Sequence, residues 1–297
     1  MGGLVPAIRV LVLGAASLLS CAVHSAPGIV LLGDDYRGVI MRDLAAGERS
    51  DIERRGDIYE LEVRRVGVSL RNLAPGGAIT ELADALHASE IGLVVVDATR
   101  GISAAAREHI LVARQARTPM LAVIFTNIER LHDKAGEESD DVLGIEIQDV
   151  RDLMASYGFD ADSTRIFFDA RPVALQTQPE AAGIMETLRV LSLFGPRRAG
   201  AANLHSAGEI WGAVYLLGDA ETNGSASTLS PNDSLVVWSE GRHANATLAS
   251  LTAYHPGEFR EMPLAMQTPL EVQEGSRILL VRADRVVGIG AVTQIGR

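Results

Sequence analysis

The stretch that most limits how this chain can fold is IGLVVVDATRGISAAAREHILVARQARTPMLAVIFTNIE, residues 91–129. Its first apolar run, Leu93 to Val96, is rich in β-branched side chains and closes on Asp97 and a turn around Gly101. Ala104, Ala105 and Ala106 are strong helix formers, and Ile110, Leu111, Arg114 and Gln115 follow at helical spacing. Thr118-Pro119 stops that helix, and a second continuous apolar run, Met120 to Phe125, begins at once. Two fully apolar strands joined by a helix make a βαβ unit, which implies a parallel sheet covered on both faces. The crossover is expected to be right-handed, with ligands bound beyond the carboxyl ends of the strands.

The same residues carry a resemblance. REHILVARQARTP, residues 107–119, is similar almost position by position to the third helix of the GTP-binding domain of elongation factor Tu. IGLVVVDATRG resembles the strand and loop before that helix, and IQDVRDLMASYGFDADSTRI, residues 147–166, resembles a later helix and loop of the same domain. The likeness covers most of the chain from about Gly33 onward. It implies an α/β fold: a Rossmann-like, P-loop GTPase-type parallel-sheet domain, followed by a small all-β barrel.

With 297 residues the chain has room for two ordinary domains. Aromatics are only 4% of the residues, so the core must be aliphatic. The formal net charge is −11, which weighs against DNA or tRNA as a partner, because an acidic surface repels phosphate backbones. Cys21 is the single cysteine, so no cysteine-built metal cluster exists. Residues 1–26 combine Arg9, an apolar run too short to span a bilayer and a small-residue end, the pattern of an export signal. Leu18-Leu19-Ser20-Cys21 resembles a bacterial lipobox, making membrane attachment through Cys21 possible; cleavage near Ala26 is the competing export reading. The bland alternative is that VLVLGAAS is the first strand and turn of the domain.

The first strand is expected in PGIVLLGDD, bounded by Pro27 and Gly33. From Gly33 to Gly38 the chain keeps both glycines of the phosphate-binding loop GxxxxGK[ST]. Val39 and Ile40 stand where a lysine and a magnesium-binding hydroxyl are needed, and Asp34 and Asp35 add negative charge. Arg37 is the nearest compensating cation. Residues 46–55 read as a charged, exposed helix or loop, and residues 57–68 as an exposed edge strand. Against the family pattern, Ile58 replaces the threonine of the first switch. Residues 69–77 match its DCPGH stretch with Pro75 and Gly76 kept, but Leu73 replaces the aspartate and Gly77 the histidine. The guanine-reading NKxD falls on Thr126-Asn127-Ile128-Glu129, where Glu129 is a methylene too long. The SAL/SAK loop falls on Asp169-Ala170-Arg171, without its serine.

Residues 131–141 read as a charged loop, residues 145–157 and 181–194 as helices, and 78–89 as an amphipathic helix with His87 at its surface or cap. The domain divisions are residues 27–195 for the GTPase-like part, 196–208 for a Gly- and Ala-rich linker, and 209–297 for the barrel. EIWGAVYLL resembles the first strand of the third domain of elongation factor Tu, and RILLVRADRVVGIGAVTQI its last hairpin, with Ala283-Asp284 at the turn. Residues 234–239, 244–253 and 270–282 are further strands, and Trp211 and Trp238 are expected to be core or rim packing. The family's middle domain has no room here. Two functions follow. The first is an exported, non-catalytic pseudo-GTPase of the cell envelope with no cofactor, acting on a protein partner that the sequence does not name. The alternative is a cytoplasmic translation-factor-like protein that still binds GTP and magnesium, with Arg37 standing in for the lysine.

Overall fold

A computed structural model describes residues 27–170, 183–194, 203–222 and 224–296. The export-signal and lipobox reading of residues 1–26, including Cys21, lies outside the described residues, as do Arg171 and most of the expected linker.

The first unit is a seven-stranded sheet. Its elements are β1 (Gly28–Gly33), α1 (Arg37–Glu48), β2 (Glu53–Arg55), β3 (Ile58–Val63), β4 (Val68–Leu73), α2 (Ile79–His87), β5 (Ile91–Asp97), α3 (Ala104–Gln115), β6 (Met120–Thr126), α4 (Ile128–Ala135), α5 (Ser139–Ser156), β7 (Arg165–Phe168) and α6 (Ile184–Leu191). The strand order is β2-β3-β4-β1-β5-β6-β7. β4, β1, β5, β6 and β7 run parallel, while β2 and β3 pair antiparallel at one edge. β1 and β5 are apolar and buried along almost their whole length, as strands with helices on both faces must be. Ile29, Leu31, Leu61, Leu70 and Val95 pack on one face beneath α1 and α6. Val30, Leu32, Val94 and Val96 pack on the other, under α2 and α3.

Three expectations need correction here. The exposed edge strand is β2; residues 57–68 instead form β3 and the turn into β4, with Ile58, Leu61 and Val63 buried. The charged loop at 131–141 is instead the end of α4, a single 3-10 turn and the start of α5. Only Ile128 and Leu131 of α4 are fully buried, with Ala135 packed beside them, so a narrow apolar stripe holds a helix whose charged side chains face water. The chain also leaves the expected linker early, since the barrel's first strand starts at His205.

The second unit is a closed antiparallel barrel of order β10-β11-β8-β13-β12-β9. It is built from β8 (His205–Leu216), a short α7 (Asp219–Thr222), β9 (Ser234–Ser239), β10 (Arg242–Leu248), β11 (Phe259–Val272), β12 (Arg277–Arg282) and β13 (Arg285–Gly296). Closure removes the free edges. Ala283 and Asp284 both take positive φ, 50° and 58°, the two-residue turn that matches strand twist in a hairpin. Glu240-Gly241 repeats the device between β9 and β10. The expected strand at 270–282 is two strands, divided by Gly275 at φ 81°.

The units are joined by more than the chain. Leu217, Trp238, Leu279, Val281, Val286 and Ile289 of the barrel belong to the same buried cluster as the residues of α2 and α3. Trp238 is fully buried, and its Nε1 donates to Asp84 Oδ1 of α2 at 2.6 Å. From α3, Glu108 Oε1 accepts from the Val286 amide at 2.9 Å, and the Arg114 carbonyl accepts from Arg277.

Candidate functional site

In a parallel sheet of this order, the crevice beyond β1 and β5 is where a ligand is expected, because the chain moves to opposite sides of β1 there. Gly33 ends β1 at φ 87°, and a Cβ on it would lie 2.3 Å from the Val95 carbonyl oxygen. Only glycine allows that approach. Gly38 differs: its φ is ordinary, and an added Cβ would meet only Arg42 Nη1, at 3.7 Å.

Among the described residues, five of the seven amides from Gly33 to Val39 are bonded within the protein, those of Asp35 and Tyr36 excepted. The Gly33 amide donates to His109 Nδ1 at 3.0 Å, and the Asp34 amide to the Val95 carbonyl at 3.1 Å. The amides of Arg37, Gly38 and Val39 donate to the carbonyls of Asp34, Asp35 and Tyr36 at 2.9–3.1 Å. Those turns start α1 at Arg37, one residue before Gly38. Asp34 Oδ2 accepts from the Asp97 amide at 3.0 Å, pinning the loop across the crevice to β5. Arg37 Nε donates to the Asp34 carbonyl at 2.9 Å, so the nearest cation is partly engaged in holding the loop.

His109, the third residue of REHIL, is buried in α3. Burial first, and the charge of Arg37 second, depress its pKa to about 3. The imidazole is therefore neutral, with Nδ1 the acceptor and the proton on Nε2. Nothing in the sequence marks it beyond its place in the most family-like helix. Its role here is to hold the end of β1.

The residues matched to NKxD and SAL/SAK do meet. Asn127 takes a left-handed conformation, φ 61°, ahead of α4, and its amide donates to Asp169 Oδ2 at 2.6 Å. The Ile128 amide donates to Asp169 Oδ1 at 3.3 Å. Asp169 thus caps α4 from 42 residues away. Its pKa is raised, chiefly by burial, with the amide bonds opposing. Glu129 points from the first turn of α4 into solvent, on no partner among the described residues. Pro75 and Gly76 form an exposed turn after β4, with Gly76 at φ 72°. Leu73 is buried, and a Cβ on Gly77 would approach its Cδ1 at 2.9 Å. The following helix, α2, is capped from outside: Asp57 Oδ2 accepts the Ala78 amide at 2.9 Å.

Among the described residues, no group of three or more His, Cys, Asp and Glu side chains is placed to hold a metal ion. No described helix is long and apolar enough to cross a membrane. No family model matches the chain.

The two glycines give a direct test of the loop geometry. Gly33→Ala should cost roughly 2–3 kcal/mol, from the left-handed backbone and the displaced Val95 carbonyl. Gly38→Ala should instead raise stability by up to about 1 kcal/mol, because it replaces a helical glycine in open space. Urea unfolding of both variants measures this. Equal losses would mean that both glycines serve one common loop conformation, contrary to the bonds described.

Proposed function

We propose that this chain is a pseudo-GTPase similar to elongation factor Tu, acting as a non-catalytic binding protein of the cell envelope. The observation that carries it is the loop from Gly33 to Val39, in which five amides are already bonded within the protein. A phosphate-binding loop works by leaving such amides free to face the anion. Here a triphosphate would have to displace those bonds, and would meet the carboxylates of Asp34 and Asp35. Val39 and Ile40 add neither ammonium nor hydroxyl, and Leu73 occupies the carboxylate's place with an apolar side chain. These residues do not fit a magnesium–nucleotide. The envelope assignment is supported by the export pattern of residues 1–26 and rests on the sequence. The acidic balance of −11 and the direct step from sheet to barrel support a role apart from tRNA.

Calorimetric titration with magnesium–GTP tests the reading. No saturable heat is expected at nucleotide concentrations up to about 1 mM, where a working loop is long saturated. Micromolar binding would return the chain to the nucleotide-binding class. Membrane fractionation of wild type and Cys21→Ser, with intact mass of the mature chain, tests localisation: an unprocessed Met1 in the cytoplasm removes the envelope from the proposal.

A further inference from the structure

Beside the closed loop lies an open cleft of about 600 Å³ between α1 and the sheet, within the size range of small-ligand sites. Its floor is Asn72 of β4 and Tyr59 of β3, paired with each other in the sheet. Its α1 wall carries Arg37, Met41 and Arg42.

Two polar side chains lining this cleft each bury one atom without a hydrogen-bond partner. Arg37 is 9% exposed and Asn72 4%, and Arg37 Nη1 and Asn72 Oδ1 both lack a hydrogen-bond partner among the described residues. Orphaned buried polar atoms are rare, since each carries an uncompensated desolvation cost. Both atoms are sealed from solvent at the cleft wall, and a ligand that shifts the wall side chains enough to reach them would meet a charged donor and an acceptor. Such a ligand offers an anionic oxygen to Arg37 and a hydrogen-bond donor to Asn72. Arg42 reinforces the anion end, its guanidinium lying over Gly38 at the first turn of α1. Asp35 stands on the rim and the neighbouring Asp34 also acts on Arg37, so the two arginines are offset by two carboxylates. That balance disfavours a polyphosphate and leaves room for one carboxylate, with or without a neighbouring ammonium. The remaining lining, Met41, Ile52, Leu73 and Pro75, is apolar.

We propose that this cleft binds a small monocarboxylate bearing a hydroxyl or ammonium group next to the carboxylate and a short apolar chain. The carboxylate seats on Arg37 and Arg42, the neighbouring donor reaches Asn72 Oδ1, and the chain lies along Met41, Ile52 and Leu73. The proposal rests on the pseudo-GTPase reading, because an open nucleotide loop would reshape the α1 end of the cleft.

Calorimetry on the full chain with four probes tests it: L-leucine, 2-hydroxy-4-methylpentanoate, 4-methylpentanoate and magnesium–GTP. Saturable binding is expected for leucine or its hydroxy analogue, and the stronger of the two says whether the donor is ammonium or hydroxyl. 4-Methylpentanoate, which lacks the donor, should bind about tenfold more weakly. Arg42→Gln should weaken binding by about tenfold or more, the loss expected for one charge-assisted bond. Arg42 is exposed, so this variant keeps the proposal testable even where Arg37→Gln fails to fold. Asn72→Leu should erase the preference for the donor-bearing acids while leaving 4-methylpentanoate binding in place. Silence of all three acids up to about 10 mM, well above the millimolar range of weak sites, overturns the cleft alone. Binding unchanged in Arg42→Gln and Asn72→Leu overturns it too. Tight binding of magnesium–GTP overturns the loop reading and the cleft with it.

Discussion

Between pH 7.5 and pH 5 the folded protein is expected to lose about 2 kcal/mol of stability through one imidazole, that of His109. Its folded pKa of about 3 lies far below the ordinary 6.5. The unfolded chain therefore takes up a proton below pH 6.5 that the folded chain refuses. The sign follows: the contribution is complete above pH 6.5, falls as the solution is acidified, and levels off only near pH 3. At pH 4 the loss reaches about 3 kcal/mol, a large share of the stability of an ordinary domain. Carboxylates act in the other direction where burial raises them. Asp84, Asp169 and Glu146 all favour the protonated form when folded, so their share rises on acidification. Their shifts oppose that of His109 and are common to wild type and a His109 variant, so comparing the two isolates the imidazole. The measurement is urea unfolding at half-unit pH steps for wild type and His109→Asn. The asparagine oxygen can accept the Gly33 amide in place of Nδ1, and it does not titrate. The variant should start less stable and show a flatter pH profile. Parallel profiles would show that the imidazole does not govern the acid response.

The second large effect is at Trp238. Trp238→Ala should cost roughly 3–5 kcal/mol, the usual range for emptying a fully buried aromatic site. The loss is shared across the two units. The ring lies edge-on to His87, with centroids 6.0 Å apart, and its Nε1 holds Asp84. Removing it leaves a half-buried carboxylate without its donor. Trp238→Phe keeps most of the volume and should cost about 1–2 kcal/mol, mainly for the lost hydrogen bond. It should also move the Asp84 pKa further up, because the Trp238 bond is what opposes burial there most strongly. Calorimetric melting gives both readouts. Wild type should unfold in one step, whereas Trp238→Ala should separate into two as the contact between sheet and barrel weakens. A variant within about 1 kcal/mol of wild type, melting as a single unit, would place the contact elsewhere.

What could be read from the residues followed from local pattern. The β5-α3-β6 unit announces itself through two buried apolar runs and a helix stopped by Thr118-Pro119. Ala283-Asp284 is legible as a turn because two β-branched runs flank it. β11 was mostly hidden. Pro263 and Pro269 argue against a strand, yet Pro263 sits just past the end of pairing with β10, and the register shifts between Ala265 and Leu270, next to Pro269. In the candidate site, both glycines are visible in the sequence, but only space decides that Gly33 is obligatory and Gly38 is not. The partners that complete the site are distant: Gly33 to His109 spans 76 residues, and Trp238 to Asp84 spans 154. No periodicity reports a bond of that kind. The orphaned Asn72 Oδ1 reads in sequence as an ordinary polar residue within a strand.

The apolar packing that runs from α2 and α3 into the barrel makes the molecule a bracket and not a lever. Turning the barrel against the sheet would pull Trp238, Leu279 and Val286 into water together, at about 25 cal/mol for each Å² uncovered. It would also break the Glu108–Val286 and Asp84–Trp238 bonds. Whatever settles on the far wall of the barrel is therefore carried at a constant bearing and distance from whatever settles in the cleft beside α1. The bracket thus fixes the spacing between its two ends and resists their rotation.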